Sequence, residues 1–155
     1  MGGRNPGWET LMLEAWTRRG ALLGIAAAAG AVSSGAAQAK GNLASKPTEL
    51  KLSLKGDLAM EPKEFRLETG KYYKLAIDCA GGDEFHWMAP ELFTNSWVYQ
   101  VVISGIEVHN VKSPEIEFDK DGTAIVYFVP VRTGRFKYYV RGHEERGMSG
   151  TMFVE

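Results

Sequence analysis

An imidazole and a thioether lie close together near the carboxyl end of the chain. His143 follows Gly142, and Met148 comes five residues after His143. Imidazole nitrogen and thioether sulfur are donors that suit a soft or borderline metal such as copper. This spacing therefore predicts a loop that can present two metal ligands.

Strand patterns flank this loop on both sides. Before it, Phe136, Tyr138 and Val140 occupy alternate positions, as apolar residues do along one face of a strand. After it, residues 151–154 form a second short apolar run that ends the chain. The loop is therefore expected to connect two strands.

The same segment resembles the ligand loop of the cupredoxin family. That loop has a Cys, then Gly-His, then four residues and a Met, then one residue, a Gly and a closing strand. The Gly, His and Met all match here, but Tyr138, Tyr139 and Val140 occupy the positions three to five residues before the His. The resemblance therefore implies the scaffold of a blue-copper protein without its thiolate.

The resemblance also implies a ligand from the middle of the chain. In cupredoxins one His on a central strand converges with the His and Met of the C-terminal loop at one pole of the sandwich. Carried over to this sequence, His86 is the first ligand, His143 the second and Met148 the axial one. Without the short copper–thiolate bond, such a set would bind copper but would not favour fast electron transfer.

Carboxylates could complete this coordination. Glu84 lies two residues before His86 and shares its face if the segment is extended. Glu144 and Glu145 adjoin His143. A set of His, Glu and Met ligands would favour Cu(II), and it could accept iron or zinc less selectively.

Each candidate ligand also has an interpretation without metal. His143 could be a solvated loop residue, and His86 could be a half-buried residue beside Trp87. Met148 precedes a closing strand, where methionine is often part of the core. His109 has no counterpart in the family and is expected to face solvent.

A single cysteine, Cys79, ends a predicted strand. It cannot form an intrachain disulfide. It does not occupy the family's Cys position, and we expect a small buried apolar residue. The alternative is a redox protein whose thiolate comes from Cys79.

The rest of the chain after residue 47 predicts an all-β domain. Short alternating runs are separated by turn signals such as Gly56 and Gly70, the pattern of a sandwich or barrel. After Lys40 no helical period extends over eleven or more residues. About eight strands in roughly 110 residues suit a Greek-key β-sandwich. Together with the resemblance, residues 48–155 are expected to form a cupredoxin-like Greek-key β-sandwich of about seven to eight strands.

The first 39 residues predict an export signal that is cleaved. Arg18 and Arg19 precede an Ala-rich run that ends in Ala37-Gln38-Ala39, which gives a charged region, a short apolar region and a cleavage site. The run is too short and too weakly apolar to span a membrane stably. The paired arginines resemble a twin-arginine signal; an ordinary secretory signal is the alternative. Residues 40–47 then form a polar tether.

Composition excludes several classes of function. The chain carries 18 basic and 19 acidic residues, and no basic patch is interleaved with aromatic residues, so we expect no nucleic-acid partner. Nucleophile-elbow, zinc-protease and phosphate-loop motifs do not occur, and we expect no enzymatic activity. The mature chain is also expected to have no membrane span.

The sequence therefore predicts an exported periplasmic protein that binds copper or another transition metal for storage, delivery or uptake. Its partners would be the metal ion and a periplasmic or inner-membrane protein. The first alternative is a metal-free cupredoxin-fold interaction module, with a protein-contact surface at the loop beside Trp87 and Trp97. The second alternative is an electron-transfer protein.

Overall fold

Alternating strands make up most of the computed structural model, which describes residue 43 and residues 45–81 and 84–155. The predicted export signal lies outside these residues. The described strands are β1 (Thr48–Lys55), β2 (Met60–Glu61), β3 (Glu64–Leu67), β4 (Tyr73–Ala80), β5 (Phe85–Met88), β6 (Ser96–Ile103), β7 (Ile106–His109), β8 (Glu115–Phe118), β9 (Gly122–Pro130), β10 (Gly134–Val140) and β11 (Ser149–Val154). One helix, α1 (Pro90–Thr94), follows β5, and a 3-10 turn spans Glu144–Arg146.

The strands form two sheets. One has six strands in the order β2-β1-β4-β9-β6-β7, and the other has five in the order β3-β11-β10-β5-β8. Most neighbours are antiparallel, but β1 runs parallel to β4 and β3 runs parallel to β11. The chain crosses between the sheets except at three pairs of consecutive strands: β1 and β2, β6 and β7, and β10 and β11. This arrangement confirms the predicted all-β sandwich.

Alternate residues of each strand supply the core. In β4, Tyr73, Leu75 and Ile77 are buried, while the residues between them are more exposed. Trp87 and Tyr138 fill the core from the other sheet, and both are fully buried. Burying each such side chain contributes about 1.5–3 kcal/mol, so this core is the main stabilising feature of the domain.

The hairpin of β6 and β7 was not predicted. Its turn is Ser104-Gly105, with φ values of 51° and 81°, the left-handed pair that a two-residue hairpin turn requires. All four residues of β7 are exposed. Its apolar and polar residues alternate, but a run of only four residues is at the lower limit at which alternation identifies a strand in a sequence.

Two prolines set local boundaries of the elements. The segment from Met60 to Leu67 is divided between β2 and β3 at Pro62, because proline has no N–H to donate to a ladder. Helix α1 begins at Pro90, whose fixed φ suits a first helical position. Five residues are too few to show a helical period. Among the described residues, no helix is long and apolar enough to cross a membrane.

Candidate functional site

The predicted ligand loop joins β10 to β11 and is closed by its own backbone. Val140 donates its N–H to the Met148 carbonyl at 2.9 Å, and Met148 donates its N–H to the His143 carbonyl at 3.1 Å. Gly142 and Gly147 take left-handed φ values of 78° and 93°, which glycine adopts without strain. The structure therefore brings His143 and Met148 together within one tight loop.

The His143 ring packs against an aromatic ring and lies beside a cation. Its centroid is 5.7 Å from that of Phe85 in an edge-to-face arrangement. The Arg146 guanidinium lies 3.5 Å from Nδ1. A positive charge at that distance opposes the binding of a second cation at the same nitrogen.

Met148 belongs to the hydrophobic core. Its side chain is fully buried and forms part of the same cluster as Phe85 and Trp87. The thioether is therefore placed as the metal-free interpretation of this residue describes.

His86 lies on the other face of its strand. In β5, Phe85 and Trp87 are buried, whereas His86 is half-buried and pairs with Glu117 on the neighbouring strand β8. The ring nitrogens of His86 lie between two carboxylates: Nδ1 is 3.3 Å from Glu115, and Nε2 is 3.3 Å from Glu117. Both nitrogens that could bind a metal therefore face acidic side chains outside the core.

Arg141 completes a charged cluster around His86. Its guanidinium is 2.6 Å from the Glu115 carboxylate. Its backbone N–H donates to the His86 carbonyl at 2.9 Å. The side chains of this cluster are between 31% and 55% exposed, so its ion pairs contribute little to stability. Its members hold one another on the outer face of the five-stranded sheet.

The His143 ring and the His86 side chain therefore lie on opposite sides of β5. Neighbouring residues of a strand face opposite ways. The residue of β5 that faces the His143 ring is Phe85, one position before His86. His86 could take the place of Phe85 beside His143 only if the register of β5 shifted by one residue.

The expected position of Glu84 depended on an extended backbone, and the structure corrects that premise. Glu84 precedes β5, has a φ of 52° and is exposed. Strand alternation consequently does not place it on the face of His86. Glu144 and Glu145 begin the 3-10 turn after His143, and Glu145 is exposed.

Tyr138 occupies one of the positions where the family has its Cys. Its side chain is fully buried, and its hydroxyl donates to the Pro62 carbonyl at 2.6 Å. Phe65 and Trp87 pack around the ring. Burial raises the pKa of the Tyr138 hydroxyl well above its usual value. The hydroxyl is therefore held in the core as a hydrogen-bond donor to a backbone carbonyl.

These donors do not fit a copper centre of the family's type. The loop supplies one imidazole beside a cation and one thioether within the core. The described part of the chain contains no group of three or more His, Cys, Asp or Glu residues that could hold a metal ion. Cys79 is buried in β4, on the core-facing side of the six-stranded sheet.

The sequence analysis did not identify Phe85 as the residue that faces His143, although the sequence contains a pattern that indicates it. Trp87 is a large aromatic residue that a short central strand is expected to bury. Once Trp87 is assigned to the core, alternation places Phe85 beside it and His86 outside. The resemblance, which matched a histidine by position alone, did not include this constraint.

Exposed apolar side chains concentrate on the β6–β7 hairpin, far more than on the loop. Trp87 is fully buried and cannot form a contact surface, whereas Trp97 is 44% exposed. The exposed large apolar residues of this hairpin are Trp97, Tyr99, Ile103, Ile106 and Val108. We call these five residues the hairpin surface. Trp97 and Tyr99 pack together beside His109 on the outer face, whereas Ile103, Ile106 and Val108 lie on the core-facing side. Exposed apolar residues on both faces of one edge hairpin are typical of an interaction site.

Comparison with known proteins identifies the fold. No protein-family model and no curated protein matches the chain. A laccase from Pediococcus acidilactici is similar at a TM-score of 0.58 and 11% identity, over 74% of this chain and 28% of its own. A multicopper oxidase from the same organism is similar at 0.52 and 11%, over 71% of this chain and 26% of its own.

A smaller protein is matched over nearly its whole length. Auracyanin from the photosynthetic bacterium Roseiflexus castenholzii is similar at a TM-score of 0.50 and 14% identity, over 72% of this chain and 99% of its own. The chain thus spans about a quarter of the oxidases but corresponds to an entire auracyanin. At these identities the likeness shows the fold alone, and that fold is cupredoxin-like.

Proposed function

We propose that this cupredoxin-like chain is an exported, non-catalytic binding module that works without a copper centre. The orientation of β5 carries the proposal: Phe85 faces the ring of His143, while the ring of His86 lies between two glutamates on the opposite face. The position that a second imidazole would need is therefore filled by a phenyl ring. The predicted export signal supports a periplasmic location.

The nature of the other ligand positions supports the same proposal. The Tyr138 hydroxyl is a hydrogen-bond donor to a backbone carbonyl, so it is not available as a phenolate. The Met148 thioether contributes to the core instead of facing a cleft. Binding by the module is therefore expected at the hairpin surface, and the former ligand loop has a structural role.

Copper titration of the purified protein tests this proposal. The parent is expected to bind no stoichiometric Cu(II) at low micromolar concentration, by calorimetry and absorption. Phe85→His would place an imidazole opposite His143 and near Met148, and we expect it to raise copper affinity about ten-fold or more. Phe85→Leu is the matched control, because it keeps the site apolar and adds no donor. Circular dichroism first establishes that each variant is folded.

The alternative function is transition-metal handling, with copper bound by His86, His143, Met148 and Glu84. The loop closure favours it, since one turn holds an imidazole and a thioether together. Here His143→Ala and His86→Ala would each lower copper affinity about ten-fold or more, whereas Met148→Leu would affect mainly Cu(I). Cys79→Ser would leave the affinity unchanged. One copper per parent chain with these effects would replace the metal-free proposal.

A further inference from the structure

Strand β7 is an open edge of the six-stranded sheet. The pair Ile103 and Ile106 closes a two-residue turn, and Val101 lies opposite Val108. In such a hairpin the closing pair exchanges both backbone hydrogen bonds, and every second pair after it does the same. The N–H and C=O groups of Ile106 and Val108 therefore point to β6. The N–H and C=O groups of Glu107 and His109 point away from the sheet.

This edge lacks several of the features that normally prevent pairing between sheets, although β7 is short, at four residues. Edge strands are commonly protected by lysine, proline, a bulge or an inward-facing charge. Strand β7 has the sequence Ile-Glu-Val-His and contains no lysine or proline. On its core-facing side, Ile106 is 67% and Val108 is 45% exposed. Apolar area and unpaired backbone groups thus occur at the same edge.

The polar side chains of β7, a carboxylate and an imidazole, are complementary to those of a second, antiparallel copy. Glu107 and His109 flank Val108, and their side chains lie on the outer face, 3.6 Å apart at His109 Nε2 and Glu107 Oε2. In an antiparallel pairing of two identical strands centred on Val108, each Glu107 is opposite the His109 of the other copy. The two Val108 side chains then face each other at the two-fold axis.

We propose that β7 pairs with β7 of a second copy of this chain, which joins the two six-stranded sheets edge to edge. Glu107 and His109 have the outward-facing backbone groups, and in this register they are directly opposite each other, so they form the hydrogen-bonded pairs. Such an isologous interface uses the same surface on both copies. A partner strand of different sequence would not require a carboxylate and an imidazole placed symmetrically on either side of Val108.

Aromatic side chains extend the interface beside the edge. The rings of Trp97 and Tyr99 are 5.5 Å apart, and Tyr99 lies 5.6 Å from the ring of His109. Placing a second copy along β7 brings its Glu107 next to this cluster. The inference rests on the proposed function in one respect, because it names the partner of the same hairpin surface.

Sedimentation equilibrium of the full-length chain tests the pairing. The parent is expected to show a monomer–dimer equilibrium. Val108→Lys places two ammonium groups against each other at the two-fold axis and is expected to weaken the dimer about ten-fold or more. Val131→Lys is the matched control: Val131 is 62% exposed and lies outside the hairpin. A monomeric parent, or equal dimerisation of parent and Val108→Lys, would overturn the proposal.

Hydrogen exchange locates the contact independently of the variants. The amides of Glu107 and His109 should exchange more slowly as protein concentration rises, whereas those of Ile106 and Val108, bonded to β6, should not depend on concentration. Exchange at Glu107 that is unaffected in a dimer would show that another surface pairs, and the proposal would fail.

Copper titration of the parent, compared with its sedimentation, separates this inference from the proposed function. Stoichiometric copper binding together with dimerisation of the parent would overturn the metal-free function and leave the pairing intact. A monomeric parent that binds no copper would overturn the pairing and leave the metal-free function intact.

Discussion

A buried tyrosine, Tyr138, occupies one of the three positions at which the resemblance would place a cysteine. Tyr138 is fully buried, and its one polar atom is satisfied by the Pro62 carbonyl. A buried hydroxyl without a partner would cost about 1–3 kcal/mol, so this hydrogen bond is a condition for tolerating tyrosine there. The phenol therefore serves packing, and it does so only in its protonated form.

Alkaline pH is expected to destabilise the protein through this residue. Burial raises the pKa of Tyr138, and that of Tyr72 and Tyr73 in the same direction. A pKa raised by folding stabilises the native state below the unfolded value of about 10, and this stability is lost as pH rises further. The free energy of unfolding should therefore fall above about pH 10.

The variant Tyr138→Phe should show a smaller fall in stability with alkaline pH, because one titrating group is removed. At pH 7 it should cost about 1–2 kcal/mol, since the Pro62 carbonyl loses its donor. Urea unfolding at several pH values measures both effects. Tyr99→Phe, at an exposed position, is the control. An unchanged pH dependence in Tyr138→Phe would mean that another group causes the alkaline loss.

At the scale of elements, close contact between β10 and β11 explains a glycine in a strand. Tyr138 lies opposite Gly150 in the register. A Cβ at Gly150 would collide with the Tyr138 hydroxyl and ring carbon and lie 2.6 Å from the Lys63 carbonyl. The backbone of β11 must therefore lack a side chain where the tyrosine ring passes.

Gly150→Ala is accordingly expected to destabilise the domain by about 1–3 kcal/mol, as overpacking of a core does. Gly122→Ala is the matched control, because a Cβ there would meet only the Lys120 carbonyl at 4.0 Å. Chemical denaturation of both variants gives the comparison. Equal stability of the two would show that Tyr138 can move aside without cost.

At the scale of the whole molecule, the full chain, with its predicted export signal, has a nearly balanced charge. Its formal net charge is −1, so long-range steering of charged partners is weak. Contacts of the module should consequently depend on shape and apolar area. The hairpin surface provides both at one edge of the six-stranded sheet.

The exported protein is expected to begin at Lys40, after cleavage behind Ala39. Intact mass spectrometry of the native protein tests this. Changing both Arg18 and Arg19 to lysine should trap the precursor in the cytoplasm, because a twin-arginine signal requires the pair. A native chain that begins well before Lys40 would contradict the expectation, and export of the lysine variant would indicate the ordinary secretory route.

Much of the fold could be read from local patterns. Apolar residues at alternate positions predicted β10, because a period of two is a property of each strand alone. The position of the loop between β10 and β11 followed in the same way. Strand β7 also alternates, but it has only four residues, and its pairing with β6 depends on a turn formed by Ser104 and Gly105.

The site depended on information that no local pattern contains. Sequence alone determined that His143 and Met148 share a loop, since five residues cannot separate them far. Only the tertiary structure decided which residue of β5 meets that loop. The burial of Trp87 in the core decides which residues of β5 face inward, and it turns Phe85 toward His143 and His86 toward the glutamates of β8. A shift of one residue moves every side chain of a strand to the other face. The packing of Trp87 therefore determined which side chain of β5 lies beside His143.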